Sequence, residues 1–434
     1  MAGSAGHLMS YREAIEYLYS LRFFGAKFGL ENTNHLAALA GNPQEQLRFI
    51  HVAGTNGKGS TCAMLESIYR ASGLRVGLFT SPHLISFCER IQVNRTLIPE
   101  EKVVELVSRM HELVSGFPAG SSPTFFEVVT VIALMHFVRE KCDLVIWETG
   151  LGGRLDATNI VTPLLSIITN VQFDHQGWLG NTLGQIAFEK AGIIKPGIPV
   201  VCGPSDAEAL EVIHKKAVEC AAPLHLVTAE SVAMNSRQTA HLSLHGAHQQ
   251  VNAVVAVQAV RVLQETLNVP EETIDQALQD VSWAGRLQWI TTERQQRFLL
   301  DGAHNTAGAK ALRQAVEQLI PGRPDHLIVA MLRDKDWEEM CRILAPLADD
   351  IYLCAVESER TVTPDELAGY CQAANPKARV HCTTALHEAI EQVRGVTLLT
   401  GSLYFIGQAL ELLQPTGNAG QGERGLNEWT GVSR

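Results

Sequence analysis

The sequence predicts an α/β fold, built as two such domains in series, and three observations carry that prediction. From about residue 46 onward, short β-branched or apolar runs alternate with longer stretches of helical spacing. Several runs, residues 143–147 and 164–169 among them, are apolar almost throughout, as strands of a parallel sheet covered on both faces must be. The alternation then breaks at the polar stretch 291–296 and starts again. The 434 residues suffice for two or three domains at roughly 150 residues each, every one able to bury a core.

Taken in order, residues 47–53 read as a buried strand, followed by a glycine-rich turn and a helix over 61–71. Residues 75–80 give a second strand. Residues 99–114 and 124–141 have helical spacing, the first opening with Pro-Glu-Glu, a favourable first turn. The strands at 143–147, 164–169 and 199–202 follow, then a helix around 207–220. The polar, alternating stretch 224–248 is expected to be a small antiparallel addition, and helices near 249–267 and 271–280 close the first region. The second series alternates strands at 297–300, 326–331, 351–355, 379–382 and 396–400 with helices at 305–319, 337–344, 364–374, 386–393 and 404–413. The expected domains are therefore 1–293 and 294–414. Residues 415–434, rich in Gly, Asn and charge, are expected to be a frayed tail.

Composition narrows the function. Lys and Arg number 35 against 46 Asp and Glu, a net charge of −11, which argues against sequence-independent nucleic-acid binding. A local cationic pocket for a small anionic substrate remains compatible with that charge. Nine cysteines without a C-x-x-C pair argue for reduced thiols rather than a disulfide framework or zinc ribbon. No window approaches the ~20 apolar residues of a membrane span, and Met1–His7 lacks the features of a signal peptide. The expectation is a cytoplasmic protein.

The sharpest motif is His51-Val-Ala-Gly-Thr-Asn-Gly-Lys-Gly-Ser-Thr61, a glycine-rich turn between strand and helix. Backbone N–H groups at the positive end of a helix dipole suit phosphate oxygens. Gly54, Gly57 and Gly59 let the backbone approach them, Lys58 reaches the β/γ-phosphates, and Ser60 or Thr61 holds Mg²⁺. The spacing departs from G-x-x-x-x-G-K-[ST], since Gly54 is only three residues before Gly57 and Gly59 separates Lys58 from Ser60. Glu148 ends the 143–147 strand ahead of Gly150-Leu-Gly-Gly-Arg-Leu-Asp-Ala-Thr-Asn159, where an open α/β sheet binds ligands. A carboxylate there is a hard donor suited to Mg²⁺. Arg154 and Asp156 either contact substrate or only structure this loop. His175, in Asn170-Val-Gln-Phe-Asp-His175, closes another strand and is either a ligand or a hydrogen-bonded structural residue. Lys190 lies at a helix end, where a cation suits the dipole. Ser81, in Thr80-Ser-Pro-His-Leu84, coordinates a cation or caps a turn. In the second domain Asp301, in Asp301-Gly-Ala-His-Asn305, is placed for ribose hydroxyls or ammonium groups, and Arg286 can reach phosphates from a hinge.

With these landmarks, which together with Gly401-Ser-Leu-Tyr404 run over about residues 10–413, the chain resembles the Mur ligase superfamily of ATP-dependent amide-forming enzymes. Its GLGGRLDATN and SPHL segments are similar to the folylpolyglutamate synthase branch, including the bacterial form that is also a dihydrofolate synthase. The resemblance implies a P-loop-type, mostly parallel ATPase domain followed by a smaller Rossmann-like α/β domain. It implies a reaction in which ATP's γ-phosphoryl group activates a carboxylate as an acyl phosphate, which the amine of L-glutamate then attacks, releasing ADP and phosphate. The acceptor it implies is a folate or dihydropteroate. The chain is expected to act as a monomer.

Residue by residue, the resemblance places ATP on Gly54, Thr55, Asn56, Gly57, Lys58, Gly59, Ser60, Asn252, Arg286 and Asp301, and two Mg²⁺ ions on Ser60, Ser81, Glu148 and His175. It matches Lys190 to a lysine carbamylated in many members, and counts it with Lys58, Glu148 and His175 as catalytic. Thr124, Phe125, Phe126, Glu127, Leu155, Asp156 and Ala157 match the pterin contacts, and His304 joins them on the substrate side. Gly25-Ala-Lys-Phe-Gly-Leu30 lacks the acidic residue that many bifunctional members carry there. The rival readings are a Mur-type ligase with another carboxylate acceptor, a P-loop kinase or nucleotide switch, and a non-catalytic nucleotide-binding module.

Overall fold

A computed structural model of the chain describes residues 9–21, 29–118, 121–414 and 423. The first domain runs α1 (Tyr11–Ser20), α2 (Glu31–Leu39), β1 (Phe49–Ala53), α3 (Lys58–Ala71), β2 (Val76–Phe79), β3 (Ile91–Val93) and β4 (Thr96–Leu97). It continues through α4 (Glu100–Val114), α5 (Phe125–Arg139), β5 (Leu144–Glu148), β6 (Leu165–Ile168), α6 (Gln176–Leu179) and α7 (Leu183–Ala191). It ends with β7 (Val200–Cys202), α8 (Ala207–Glu219), β8 (Leu224–Leu226), α9 (Ala229–Met234), α10 (Ala247–Val262) and α11 (Glu271–Asp280).

Its eight strands are ordered β4-β3-β2-β5-β1-β6-β7-β8, all parallel except the β3–β4 edge. Successive side chains of a strand point to opposite faces, and the core divides accordingly. Ile50, Val52, Leu144 and Ile146 pack beneath α3, α10 and α11, whereas Phe49, Val145 and Trp147 pack beneath α1, α2, α4 and α5. Trp147 is fully buried, 4.5 Å from the Phe79 ring and 5.6 Å from that of Phe49, with Nε1 donating to the Thr158 carbonyl at 2.9 Å. The anchored indole fixes the end of β5, and so the residue that follows it.

The stretch 224–248 is not the antiparallel addition expected. β8 is a short parallel edge strand on β7, and α9 follows it. Its alternation records one face turned to solvent, which an edge strand shows whatever its direction.

The second domain comprises β9 (Gln288–Thr291), β10 (Arg297–Asp301), α12 (Thr306–Leu319), β11 (His326–Val329), α13 (Trp337–Leu344) and β12 (Asp350–Leu353). After these come α14 (Pro364–Ala374), β13 (Arg379–Cys382), α15 (Leu386–Gln392), β14 (Val396–Thr400) and α16 (Leu403–Leu413). The sheet order is β13-β12-β11-β14-β10-β9, parallel but for β9. The expected boundary at 293/294 therefore falls inside the β9–β10 hairpin. The polar residues 292–295 are its turn, closed by Thr292 N–H to the Gln296 carbonyl at 3.0 Å, and the second sheet begins at Gln288.

Of the expected tail, Glu423 alone is among the described residues. It is not frayed, being 5% exposed against the first domain, because its carboxylate and carbonyl both find donors there. The rest of 415–434 lies outside the described residues, as do residues 25–28 of the Gly25–Leu30 stretch. Among the described residues no helix is long and apolar enough to cross a membrane.

Candidate active site

The carboxyl ends of both sheets face one cleft of about 510 Å³, and the site residues singled out from the sequence line it, apart from Thr61 and Arg154. Thr61 is buried within α3, and Arg154 pairs with Glu189 at 2.8 Å. The turn from β1 to α3 forms its floor. Gly57 caps α3 at φ 82°, and a Cβ there would run into the Asn252 side chain on α10, so the position needs glycine on both counts. The loop is braced by the exit of β6. Thr55 N–H donates to the Asn170 carbonyl at 3.0 Å, Asn56 N–H to Asn170 Oδ1 at 2.9 Å, and the Thr169 hydroxyl to the Asn56 carbonyl at 2.7 Å. Lys58 Nζ folds back on the carbonyls of Gly54 (3.2 Å) and Thr55 (3.4 Å). Ser60 Oγ is buried and finds no hydrogen-bond partner among the described residues.

Above the loop stand Glu148 and Lys190. Glu148 is buried and accepts from Ser81 N–H at 3.1 Å. Burial pushes its carboxyl up to about 7, against the pull of the Lys58 ammonium. Lys190 is 3% exposed and donates to the Gly54 carbonyl at 2.9 Å. Burial first, then Lys58, lowers its amine to about 7. The acceptor side is formed by the first turn of α5, where Thr124 and Glu127 build a capping box that presents Phe125 and Phe126 to the cleft. Asp156 is committed to its own loop, with Oδ2 accepting from Leu151 N–H at 2.7 Å and Oδ1 from Thr158 N–H at 3.0 Å. Both of its oxygens structure the turn, while the residue still lines the cleft.

The second domain closes the site. Asp301 accepts from Leu287 N–H (3.0 Å) and Ala303 N–H (2.9 Å), which leaves further lone pairs on each oxygen for a ligand. Arg286 Nη1 donates to the Gly285 carbonyl at 3.1 Å. Asn56 and Asn305 exchange amide hydrogen bonds across the domains at 3.2 and 3.0 Å. Asp174 gathers three groups of the second domain: Lys335 Nζ at 2.6 Å, Asn305 Nδ2 at 2.9 Å and His304 Nε2 at 3.6 Å. Burial alone would raise this carboxyl, but His175, Lys335 and His304 hold it well below the ordinary range. His175 lies beside the clasp, its Nε2 3.3 Å from Lys335 Nζ.

Sequence reasoning did not find Lys335, Arg360 or Arg90, all of which line the cleft. The charged run Arg333-Asp-Lys-Asp336 beyond β11, a parallel strand end like the others, was the available signal for Lys335.

A phosphate loop on one sheet, an aromatic pocket beside a carboxylate, and a second α/β domain shut over both define an ATP-dependent ligase of the Mur type. Residues 52–260 match the Mur ligase middle domain and residues 285–403 the Mur ligase glutamate ligase domain. A dihydrofolate synthase/folylpolyglutamate synthase of Bacillus subtilis is 35% identical over 93% of this chain and 99% of its own. The structure of a folylpolyglutamate synthase from Thermotoga maritima superposes with a TM-score of 0.80 at 32% identity, covering 95% of this chain and 98% of that one. FolC of Escherichia coli, solved with DHPP and ADP, gives a TM-score of 0.80 at 29% identity, over 93% and 97% of the two chains. The chain belongs to the folylpolyglutamate synthase/dihydrofolate synthase family of Mur ligases, ATP-dependent enzymes that join glutamate to a carboxylate.

Proposed function

We propose that this chain adds L-glutamate to reduced folates and to dihydropteroate, on the single cleft described above. One observation carries the reading: the phosphate loop, the α5 aromatic pocket and the cationic wall of the second domain all open into the same space. The triphosphate lies over residues 54–60, with Asn252, Arg286 and Asp301 on the nucleoside side. The pterin rests on Phe125 and Phe126, with Thr124, Glu127 and residues 155–157 around it. An oxygen of the acceptor carboxylate attacks the γ-phosphorus and the bond to the ADP oxygen breaks, giving an acyl phosphate. The unprotonated amine of glutamate then attacks the acyl carbon, the amide forms and phosphate departs. Lys58 stabilises charge on the moving phosphoryl group. Lys335, Arg360 and His304 meet the glutamate, while closure of the second domain keeps water from the acyl phosphate.

Mg²⁺ fits this site. Ser60 offers a buried hydroxyl without a partner and Glu148 a buried carboxylate. Among the described residues no cluster of three or more His, Cys, Asp or Glu side chains forms a metal cage, which suits an ion that completes its shell with phosphate oxygens and water. Ser60, Ser81, Glu148 and His175 would hold two such ions, whose chemistry is to offset phosphate charge. Lys190, its amine lowered to about 7, holds the unprotonated form that carbamylation by CO₂ requires. Reduced thiols and a cleft completed by one chain support a cytoplasmic monomer.

Phosphate release tests the reading, with ATP, L-glutamate and either dihydropteroate or tetrahydrofolate. Release is expected only when acceptor and glutamate are both present, and hydroxylamine in place of glutamate is expected to give a hydroxamate. Calorimetry that shows no MgATP binding would overturn it.

A further inference from the structure

Glu423 lies far from the cleft in sequence and outside both family matches, yet its contacts end at the cleft wall. Its carboxylate Oε2 accepts from Phe87 N–H at 2.6 Å, the Tyr11 hydroxyl at 3.0 Å and the Ser86 hydroxyl at 3.2 Å. Its backbone carbonyl lies 3.0 Å from His83 Nε2, and His83 Nδ1 lies 2.8 Å from Arg90 Nε. Donor and acceptor bookkeeping leaves one solution. A carbonyl only accepts and an arginine Nε–H only donates, so His83 is neutral, carries its proton on Nε2 and offers the bare Nδ1 to Arg90. Arg90 is 3% exposed, stacks over Phe125 with its guanidinium carbon 5.4 Å from the ring centre, and lines the cleft.

We infer that Glu423 is a positioning residue: it ties the chain beyond the second domain back onto the first and, through the His83 tautomer, holds Arg90 over Phe125 on the acceptor side of the cleft. The role of Arg90 rests on the ligase reading; the tie itself does not. In the full chain, hydrogen exchange at Phe87 N–H is expected to be slow. It should quicken about 10-fold in Glu423→Ala, which removes its acceptor, and slow again in Glu423→Gln, which keeps an acceptor oxygen. Unchanged exchange in Glu423→Ala overturns the tie. In turnover, Glu423→Ala is expected to raise the acceptor KM or lower kcat by about 10-fold while KM for ATP stays put, with Glu423→Gln restoring most of the loss. In an Arg90→Lys background the same Glu423→Ala change is expected to cost little more, because both act on one contact. Additive losses, or equal effects on every substrate, overturn the positioning role. ¹⁵N signals of His83 supply a readout free of activity: an Nε2–H tautomer in the unmodified chain supports the inference and an Nδ1–H tautomer refutes it. If no acceptor supports phosphate release in the unmodified chain, the ligase reading fails while the exchange and tautomer results still stand or fall separately.

Discussion

Lys190 is a cation that its surroundings have nearly discharged. The amine is lowered from 10.5 to about 7, by burial and then by Lys58, against Asp174 and Asp156, which favour its charge. The unfolded chain keeps this proton up to its ordinary pKa. Between about pH 7 and 10.5 the unfolded state therefore binds one more proton than the folded state, and stability rises with pH through that window. Below it the cost of the buried ammonium is complete. Lys190→Met is thus expected to stabilise the fold by about 1–3 kcal/mol near pH 6 in CO₂-free buffer, with the gain shrinking toward pH 10 and turnover lost. Urea denaturation of both proteins across that range checks it, and a gain independent of pH would contradict it. Lys58→Ala and Glu148→Ala are each expected to lower kcat by at least ~10²-fold with the unfolding midpoint little changed. At this scale the sequence was most legible at Glu148, the last residue of a parallel strand. His175, expected at a strand end, instead caps α6 seven residues beyond the end of β6. The sequence was least legible where the partner comes from the other domain. Nothing around Asp174 in sequence announces that Lys335, 161 residues on, will neutralise it.

Helix caps link local chemistry to ligand geometry. Thr124 accepts from Glu127 N–H, and Thr124 N–H donates to Glu127 Oε2 at 2.7 Å, so the first turn of α5 is held at both ends of the box. Thr124→Ala is expected to cost about 1 kcal/mol of stability and to raise the KM for the pterin acceptor more than that for ATP, because Phe125 and Phe126 ride on that turn; thermal unfolding and steady-state kinetics read the two effects. Gly369 is the opposite case. It lies within α14 with open space where a Cβ would go, so Gly369→Ala is expected to stabilise the chain by about 0.5–1 kcal/mol without touching turnover. Elements with a clear helical period or a continuous apolar run, such as α4 and β5, could be read from residues alone. β9 could not: four residues of mixed burial pair antiparallel at a sheet edge, and the polar turn behind them looks like a linker.

The whole molecule is two lobes held by a clasp. Lys335 and Asp174 are 8% and 6% exposed in their pair, and removing one member of such a pair strands the other's charge. Lys335→Met is expected to shift the lobes toward an open arrangement, visible as a larger radius of gyration by small-angle scattering. It should lower kcat about 100-fold while ATP affinity changes only a few-fold; an unchanged radius and rate would dismiss the clasp. The crossover between lobes fixes how they swing. Arg286 stands at that crossover, next to β9, whereas the loop bearing Lys335 follows β11, three strands further across the sheet and about 14 Å away at the usual spacing. Rotation about the crossover moves the near group little and sweeps the far one through a wide arc. Arrival should therefore be sequential: the nucleotide lodges while the jaw is ajar, and the amino acid is greeted last, by the part of the lever with the longest throw.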